Sequence, residues 1–157
     1  MPKPRFVATI IERKHLTRRP PKEVFAFFDR PINLKRVLPG SIAVTLGDMP
    51  EELRPGRRFR YRLERWPLDL KWETVVSEYR PPQGFTGVKA VGYFASFSLA
   101  HEIAPTRDGT ELRLRLAYEV PPGIYAKLSD AYVIRHAMEE FVSELTRSVG
   151  EALDRGE

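Results

Sequence analysis

The chain has 157 residues, 42% hydrophobic and 30% charged, with a formal net charge of +5, a composition typical of a globular rather than a disordered protein. Because cysteine is absent, disulfides, thiolate chemistry and cysteine-based metal sites are excluded. No apolar run approaches the roughly 20 residues that cross a bilayer, and the N-terminus lacks the apolar stretch of a signal peptide. We therefore expect a cytoplasmic protein with no integral membrane association.

The first third of the chain predicts a strand followed by two short helices. Residues Arg5 to Thr17 are rich in β-branched and apolar types and predict a strand. The prolines at 20 and 21 end it and suit the first turn of a helix, which we expect over Lys22 to Phe28. Similar punctuation predicts a second short helix over Pro31 to Leu38.

The middle of the chain predicts an antiparallel meander, because turn signals recur at intervals of about one strand. The predicted strands are Ala43 to Gly47, Arg57 to Trp66, Leu68 to Arg80, Phe85 to Val91, Phe94 to Ala104 and Thr110 to Val120. The last one alternates most clearly, with apolar residues at every even position from 112 to 120 and mostly charged residues between them.

Arginines at 58, 60 and 62 alternate with Phe59, Tyr61 and Leu63 in one of these strands. Alternation places the arginines on one face of the sheet and the apolar residues on the other. Since the aromatic residues are not interleaved with the arginines on the same face, the pattern favours a solvated sheet face over a nucleic-acid surface. We expect no nucleic-acid partner.

After Pro121 the hydrophobic period changes from two to between three and four, which predicts one helix from Pro122 to about Ala152. Its apolar residues lie within about 60° of Met138 on a helical wheel. The helix and the sheet must bury these apolar faces against each other, and a sheet curled around a helix commonly leaves a hollow. We see no linker or repeat that would divide the chain.

The order of elements resembles the START-like ligand-binding superfamily. Three segments carry the resemblance: RRPPKEVFAFFDRPINLKRVLP after the first strand, RPGRRFRYRLERWPLDLKWETVVSEYRPPQGF in the middle, and GTELRLRLAYEVPPG before the long helix. It implies an α+β helix-grip fold over residues 1–157, with a curved antiparallel sheet of six to seven strands around the C-terminal helix. It also implies an internal cavity for a lipid, isoprenoid, polyketide or similar apolar ligand.

The predicted cavity lining combines the apolar faces of these strands and of the long helix. Its members are Phe28, Phe59, Tyr61, Leu63, Trp72, Phe85, Phe97, Leu99, His101, Leu116, Tyr118, Arg135, Met138, Phe141, Val142 and Leu145. The aromatic members with a polar atom, such as Tyr61 and Trp72, suit either core packing or an orienting contact with a ligand.

Two members of this set leave alternatives open. His101 lies on an apolar strand face, where it is either a histidine satisfied by backbone or water, or a ligand contact or general acid/base. Arg135 lies at the edge of the apolar stripe of the helix. It either extends its guanidinium into water or holds an anionic head group at the mouth of the cavity. One bacterial branch of the superfamily often has a pair of histidines, and in this chain only His101 corresponds to one of them.

We expect a binding or carrier protein for a small hydrophobic ligand. The alternatives are a polyketide cyclase, dehydrase or aromatase using the same cavity, and a protein-interaction module with a filled cavity. The sequence has no nucleophile motif, no Gly-rich phosphate loop and no carboxylate pair placed for catalysis. The three histidines, His15, His101 and His136, lie at no metal-binding spacing, so no metal and no cofactor are expected, and no pattern in the chain indicates an oligomeric state.

The composition is also similar to that of thermophile proteins. Asn33 and Gln83 are the only side-chain amides, cysteine is absent, and there are 14 prolines. Few thermolabile residues and many prolines are features of thermostable proteins. We therefore expect a high melting temperature.

Overall fold

The computed structural model describes residues 8–121 and 128–156. Seven strands and three helices follow one another in these residues. In chain order they are β1 (Thr9–Thr17), α1 (Pro21–Phe28), α2 (Ile32–Val37), β2 (Val44–Leu46), β3 (Arg58–Arg65), β4 (Leu68–Arg80), β5 (Gly84–Gly92), β6 (Ser96–Thr106), β7 (Gly109–Glu119) and α3 (Leu128–Asp154).

The strands form one curled antiparallel sheet in the order β1-β7-β6-β5-β4-β3-β2. β1 pairs with the last strand because the two short helices carry the chain across to the other edge of the sheet before the meander begins. Helix α3 lies across the concave face. The predicted α+β class and helix-grip architecture are confirmed.

Alternation along the strands puts apolar residues on the concave face. β7 is the clearest case, since Leu112, Leu114 and Leu116 are completely buried while Arg115 between them is exposed. Each of these leucines lies opposite an inward residue of β6, with Leu116 opposite Leu99 and Leu114 opposite His101. The concave face is therefore a continuous apolar surface across neighbouring strands.

Helix α1 closes one end of the concave face, and a cluster of polar groups holds its C-terminal end in place. The hydroxyl of Tyr79 on β4 donates to Asp29 Oδ1 at 2.9 Å, and Arg54 pairs with the same carboxylate at 3.1 Å. The side chains of Phe25 and Phe28 are buried beneath the helix. Phe28 contacts the rings of Phe85 and His101 edge-on.

Most predicted boundaries agree with the structure within two residues, and one break is misplaced. The prediction ends β6 before Pro105, but β6 continues to Thr106, with Pro105 opposite Thr110. The pairing of β5 with β6 reaches only to Glu102. Pro105 therefore has a neighbour strand on one side alone, where a missing N–H is tolerated. The predicted strand start at Arg5 and helix start at Pro122 lie outside the described residues.

Candidate ligand-binding interior

The structure brings the predicted lining residues together between the concave face of the sheet and α3. Fifteen of the sixteen are buried, with exposed fractions of 7% or less, and Arg135 is the exception. Met138, Phe141, Val142 and Leu145 supply the helix side of this interior. Which of these residues touch a ligand stays a prediction.

Aromatic side chains occupy the end of the interior away from α1. Tyr61 and Trp72, paired across β3 and β4, stack with ring centroids 5.3 Å apart and planes 4° apart. Phe97 and Phe141 contact the Tyr61 ring at 5.8 Å and 6.0 Å. Such contacts add specific geometry to the burial of large apolar surfaces, and they fix the orientation of Trp72.

Phe94 also belongs to this aromatic end, although it lies before β6 and was not among the predicted lining residues. It is completely buried and contacts Trp72 at 4.9 Å and Tyr118 at 5.4 Å. The prediction makes Phe94 the first residue of a strand, where alternation with Phe97 and Leu99 would put its side chain on the outer face, but β6 begins at Ser96 and Phe94 lies in the turn before it. An apolar residue in a turn is a weak signal, because the turn's direction relative to the sheet decides whether the side chain points inward.

His101 lies at the α1 end of the interior. Its ring stacks on Phe85 with centroids 4.0 Å apart and meets Phe28 edge-on at 5.2 Å. Burial lowers the pKa of His101 to about 3, and the nearby backbone of Phe85 and Leu99 offsets only part of this effect. His101 is therefore a neutral imidazole at physiological pH.

Three buried polar atoms on the concave face have no hydrogen-bond partner among the described residues. They are Trp72 Nε1, Thr74 Oγ1 and His101 Nδ1, and their residues are 2%, 1% and 5% exposed. Buried polar groups in proteins normally have a partner, so each exception requires an explanation. Thr74 was not among the predicted site residues, and its position two residues after Trp72 was the available signal.

Thr74 lies at the centre of the concave face, beside a residue without a side chain. A Cβ at Gly87 would stand 3.1 Å from Thr74 Oγ1, and Gly87 lies opposite Leu99 on β6. The nearby Thr74 side chain lowers the pKa of Tyr61, although Thr74 Oγ1 meets hydrogen-bond geometry with no described residue. The dominant effect is burial, which raises the pKa of Tyr61 to about 12.

Arg135 lies outside this interior. Its side chain is 66% exposed and pairs with Glu139 at 3.2 Å, one helical turn away. This placement agrees with a guanidinium that extends into water. Burial raises the pKa of Tyr118, and the charge of Arg135 opposes this rise.

The outer face of the sheet carries the alternating arginines as paired charges. Arg62 donates to both carboxylate oxygens of Asp69 at 2.9 Å and 2.8 Å, and Arg60 pairs with Glu73 at 3.0 Å. A shallow cleft of about 560 Å³ crosses this face over β2 to β5. The pattern is that of a solvated face whose charges are largely satisfied by neighbours.

The part of the chain that the structure describes contains neither a candidate metal site nor a candidate membrane-spanning helix. No cluster of three or more His, Asp or Glu side chains in residues 8–121 and 128–156 could hold a metal ion. No helix within these ranges is long and apolar enough to cross a bilayer.

Comparison with known proteins identifies the fold. No family model matches the sequence, and no curated protein matches it. Among solved structures, TTHA0849 from Thermus thermophilus is similar with a TM-score of 0.69 at 19% identity, over 92% of this chain and 95% of that one. Ginseng major latex-like protein 151 from Panax ginseng has a TM-score of 0.60 at 13% identity, over 92% and 96%.

A third similar structure, Ara h 8.0201, has a TM-score of 0.58 at 8% identity, over 92% of this chain and 97% of that one. Ara h 8.0201 and the ginseng protein are proteins of the birch-pollen-allergen-like fold. At these identities the similarity shows the fold alone. The chain therefore has a helix-grip fold similar to that of these birch-pollen-allergen-like proteins.

Proposed function

We propose that this helix-grip protein binds a small hydrophobic ligand, of the lipid, isoprenoid or polyketide kind, between the concave sheet face and α3. The observation that carries the proposal is the set of unpartnered polar atoms on Trp72, Thr74 and His101. Leaving a buried donor or acceptor unsatisfied costs about 1–3 kcal/mol. A ligand that hydrogen-bonds one or more of them explains why such groups stand on an apolar surface.

A carrier has more support than an enzyme. The buried polar residues among those described are threonines, Ser148 and His101, with no carboxylate, lysine or arginine in the set. General acid–base catalysis works best with a group whose pKa lies near the operating pH, whereas burial lowers the pKa of His101 to about 3. A cyclase or dehydrase would therefore depend on shaping its substrate rather than on proton transfer by these residues.

The proposal is tested first by native mass spectrometry of freshly purified protein, which should detect a co-purifying apolar molecule. The second measurement is titration with N-phenyl-1-naphthylamine, a neutral apolar probe whose fluorescence rises in a dry site. We expect saturable binding. A protein that neither carries a co-purifying molecule nor binds the probe contradicts the proposal and favours a filled core.

A substitution that enlarges a side chain on the concave face tests where the probe binds. Leu99 lies on the concave face opposite Gly87, so Leu99→Phe adds volume on the face where the ligand is proposed to bind and should weaken probe binding at least about ten-fold while costing about 1–3 kcal/mol of stability. The matched control is Ala100→Phe, the same incoming ring on the opposite face of the same strand. Circular dichroism checks that both variants fold, and equal binding by folded Leu99→Phe and wild type contradicts the proposed location.

A further inference from the structure

The three unpartnered atoms differ in what they can bind. The indole Nε1–H of Trp72 can only donate a hydrogen bond. The hydroxyl of Thr74 can donate or accept, and Nδ1 of neutral His101 donates or accepts according to its tautomer. If Nδ1 of His101 carries the proton, hydrogen-bond acceptors on a ligand can satisfy all three atoms. The Nε1–H of Trp72 can be satisfied only by an acceptor.

Trp72 and Thr74 are placed to act on one ligand group or on two adjacent ones. They lie two residues apart on the same face of β4, a separation of about 7 Å along the strand. The Trp72 ring is held by Tyr61, Phe94 and Phe97. The direction of its N–H is therefore fixed by packing before any ligand binds, which reduces the ordering cost of the contact.

The same interior is unsuited to a charged group. Arg135, for which the sequence left open either a solvated guanidinium or a contact with an anionic head group, is 66% exposed and paired with Glu139. Among the described residues, no side chain in the buried set is cationic. A buried carboxylate or phosphate would lose its hydration without gaining an ion pair, which costs much more than burying a neutral carbonyl.

We infer that the ligand is a neutral, largely apolar molecule whose carbonyl or similar acceptor oxygen accepts a hydrogen bond from Trp72 Nε1–H, with Thr74 as the adjacent donor. This inference rests on the proposed function and narrows its ligand class. The inferred ligand class excludes free fatty acids and phosphorylated lipids whose head group would lie in this interior. Ketones, quinones, esters and amides of suitable size are included.

The test uses three molecules of nearly equal shape: 2-acetonaphthone, 2-isopropenylnaphthalene and 2-naphthoate. They differ in one group, which is a neutral acceptor, a hydrocarbon or an anion. Displacement of N-phenyl-1-naphthylamine gives each affinity. We expect the ketone to bind about 2–10-fold more tightly than the hydrocarbon, the yield of one net hydrogen bond, and the carboxylate to bind at least about ten-fold more weakly than the ketone.

Trp72→Phe removes the donor and keeps an aromatic ring. The readout is the ratio of ketone to hydrocarbon affinity, which cancels any general loss of packing in the variant. We expect this ratio to fall in Trp72→Phe, which keeps only the Thr74 donor, and to stay at the wild-type value in Trp66→Phe, the control at the other tryptophan, whose side chain is 92% exposed. Trp66→Phe also leaves Trp72 as the single fluorescent tryptophan, so its emission reports ligand entry.

Thr74→Val provides a second variant if Trp72→Phe does not fold, because it removes the hydroxyl with little change of shape and should lower the same ratio. A ratio that is unchanged in both folded variants, or a carboxylate that binds as tightly as the ketone, overturns the inferred ligand class. Binding of the probe without any of the three naphthalenes also overturns it, and leaves the proposed function standing. Failure of probe and naphthalenes alike contradicts the proposed function itself.

Discussion

His101 shows how a single residue on a concave sheet face couples stability to pH. Its neighbours are the rings of Phe28 and Phe85 and, across the strand pair, Leu114. None of these side chains can pair with an imidazolium, so burial lowers the pKa of His101 to about 3 although the backbone of Phe85 and Leu99 opposes the shift. In the unfolded chain a histidine titrates near 6.5.

Between pH 6.5 and about 3 the unfolded chain therefore binds a proton that native His101 does not, and acidification favours unfolding. We expect the free energy of unfolding of wild type, relative to His101→Leu, to be at its maximum above pH 6.5 and to fall by up to about 1.4 kcal/mol per pH unit below it. Urea unfolding of both proteins from pH 7.5 to 4 measures the difference, in which the other titrating groups cancel.

Ile103→Val is the matched control for this measurement. It changes a buried residue of the same strand and face and carries no titrating group. Its cost, about 0.5–1.5 kcal/mol, should not vary with pH. Parallel curves for wild type and His101→Leu would mean that the imidazole gains protons in the native state and is not enclosed as the structure has it.

For individual residues, the sequence predicted which side chains are buried better than it predicted which hydrogen-bond partners they have. Alternation placed Trp72, Leu99 and His101 on the apolar face, and all three are buried. Whether a buried polar atom has a partner depends on side chains from other strands, which no local pattern specifies. Thr74 could be assigned to the inner face of β4 but not recognised as unpartnered, because Gly87 stands beside it only once β5 has paired.

At the scale of elements, α3 approaches the sheet closely at its contact with β1. Gly150 of α3 lies under the ring of His15 on β1, and a Cβ at that position would stand 2.5 Å from Cγ and Nδ1 of the ring. The ring also contacts Asp154 of the same helix, with 3.1 Å between His15 Nε2 and Asp154 Oδ2. Glycine is the residue that permits this approach.

We expect Gly150→Ala to destabilise the protein by about 1–3 kcal/mol through overpacking. Helix propensity by itself predicts the opposite sign, a gain of up to about 1 kcal/mol for alanine over glycine. In a His15→Ala background the overpacking is relieved, and the same substitution should become neutral or stabilising. A double-mutant cycle from urea unfolding measures the coupling between the two positions.

A Gly150→Ala variant that is more stable than wild type would contradict the close approach of His15. If α3 instead shifts along β1 to accommodate the new methyl group, the double-mutant cycle should show little coupling between positions 150 and 15. Gly150 could not be identified from the sequence, because a glycine inside a helical pattern has the same appearance whether it is packed against a ring or exposed. The apolar stripe around Met138 was sufficient to orient the helix but not to give its distance from β1.

At the scale of the whole molecule, the order of elements was predictable because each carries its own period and punctuation. The strands β3, β4 and β7 alternate, prolines and glycines separate them, and the period changes after Pro121. The arrangement of aromatic rings inside the sheet was not predictable. Tyr61, Trp72, Phe94 and Phe97 come from three separate segments, and their contacts depend on the twist that brings those segments together.

The outer face of the sheet connects distant strands through shared charges. Arg113 of β7 lies within 3.3 Å of Glu12 on β1, 3.8 Å of Glu102 on β6 and 3.0 Å of Glu111 on its own strand. The approach to Glu12 is an ion pair without hydrogen-bond geometry at Nε. Single exposed ion pairs contribute little at 25 °C, but networks matter more as temperature rises, because the cost of removing charges from water falls.

Together with the scarcity of amides and the 14 prolines, this network leads us to expect a melting temperature above about 70 °C, beyond the range of about 45–65 °C typical of mesophile domains. Sodium chloride at 1 M shortens the screening length to about 3 Å and should lower the melting temperature by several degrees. Arg113→Met should lower it in dilute buffer and show a smaller further decrease in salt, because three carboxylates then lack their shared cation. Differential scanning calorimetry measures all four values; equal salt shifts in the two proteins would place the source of thermal stability in the core instead.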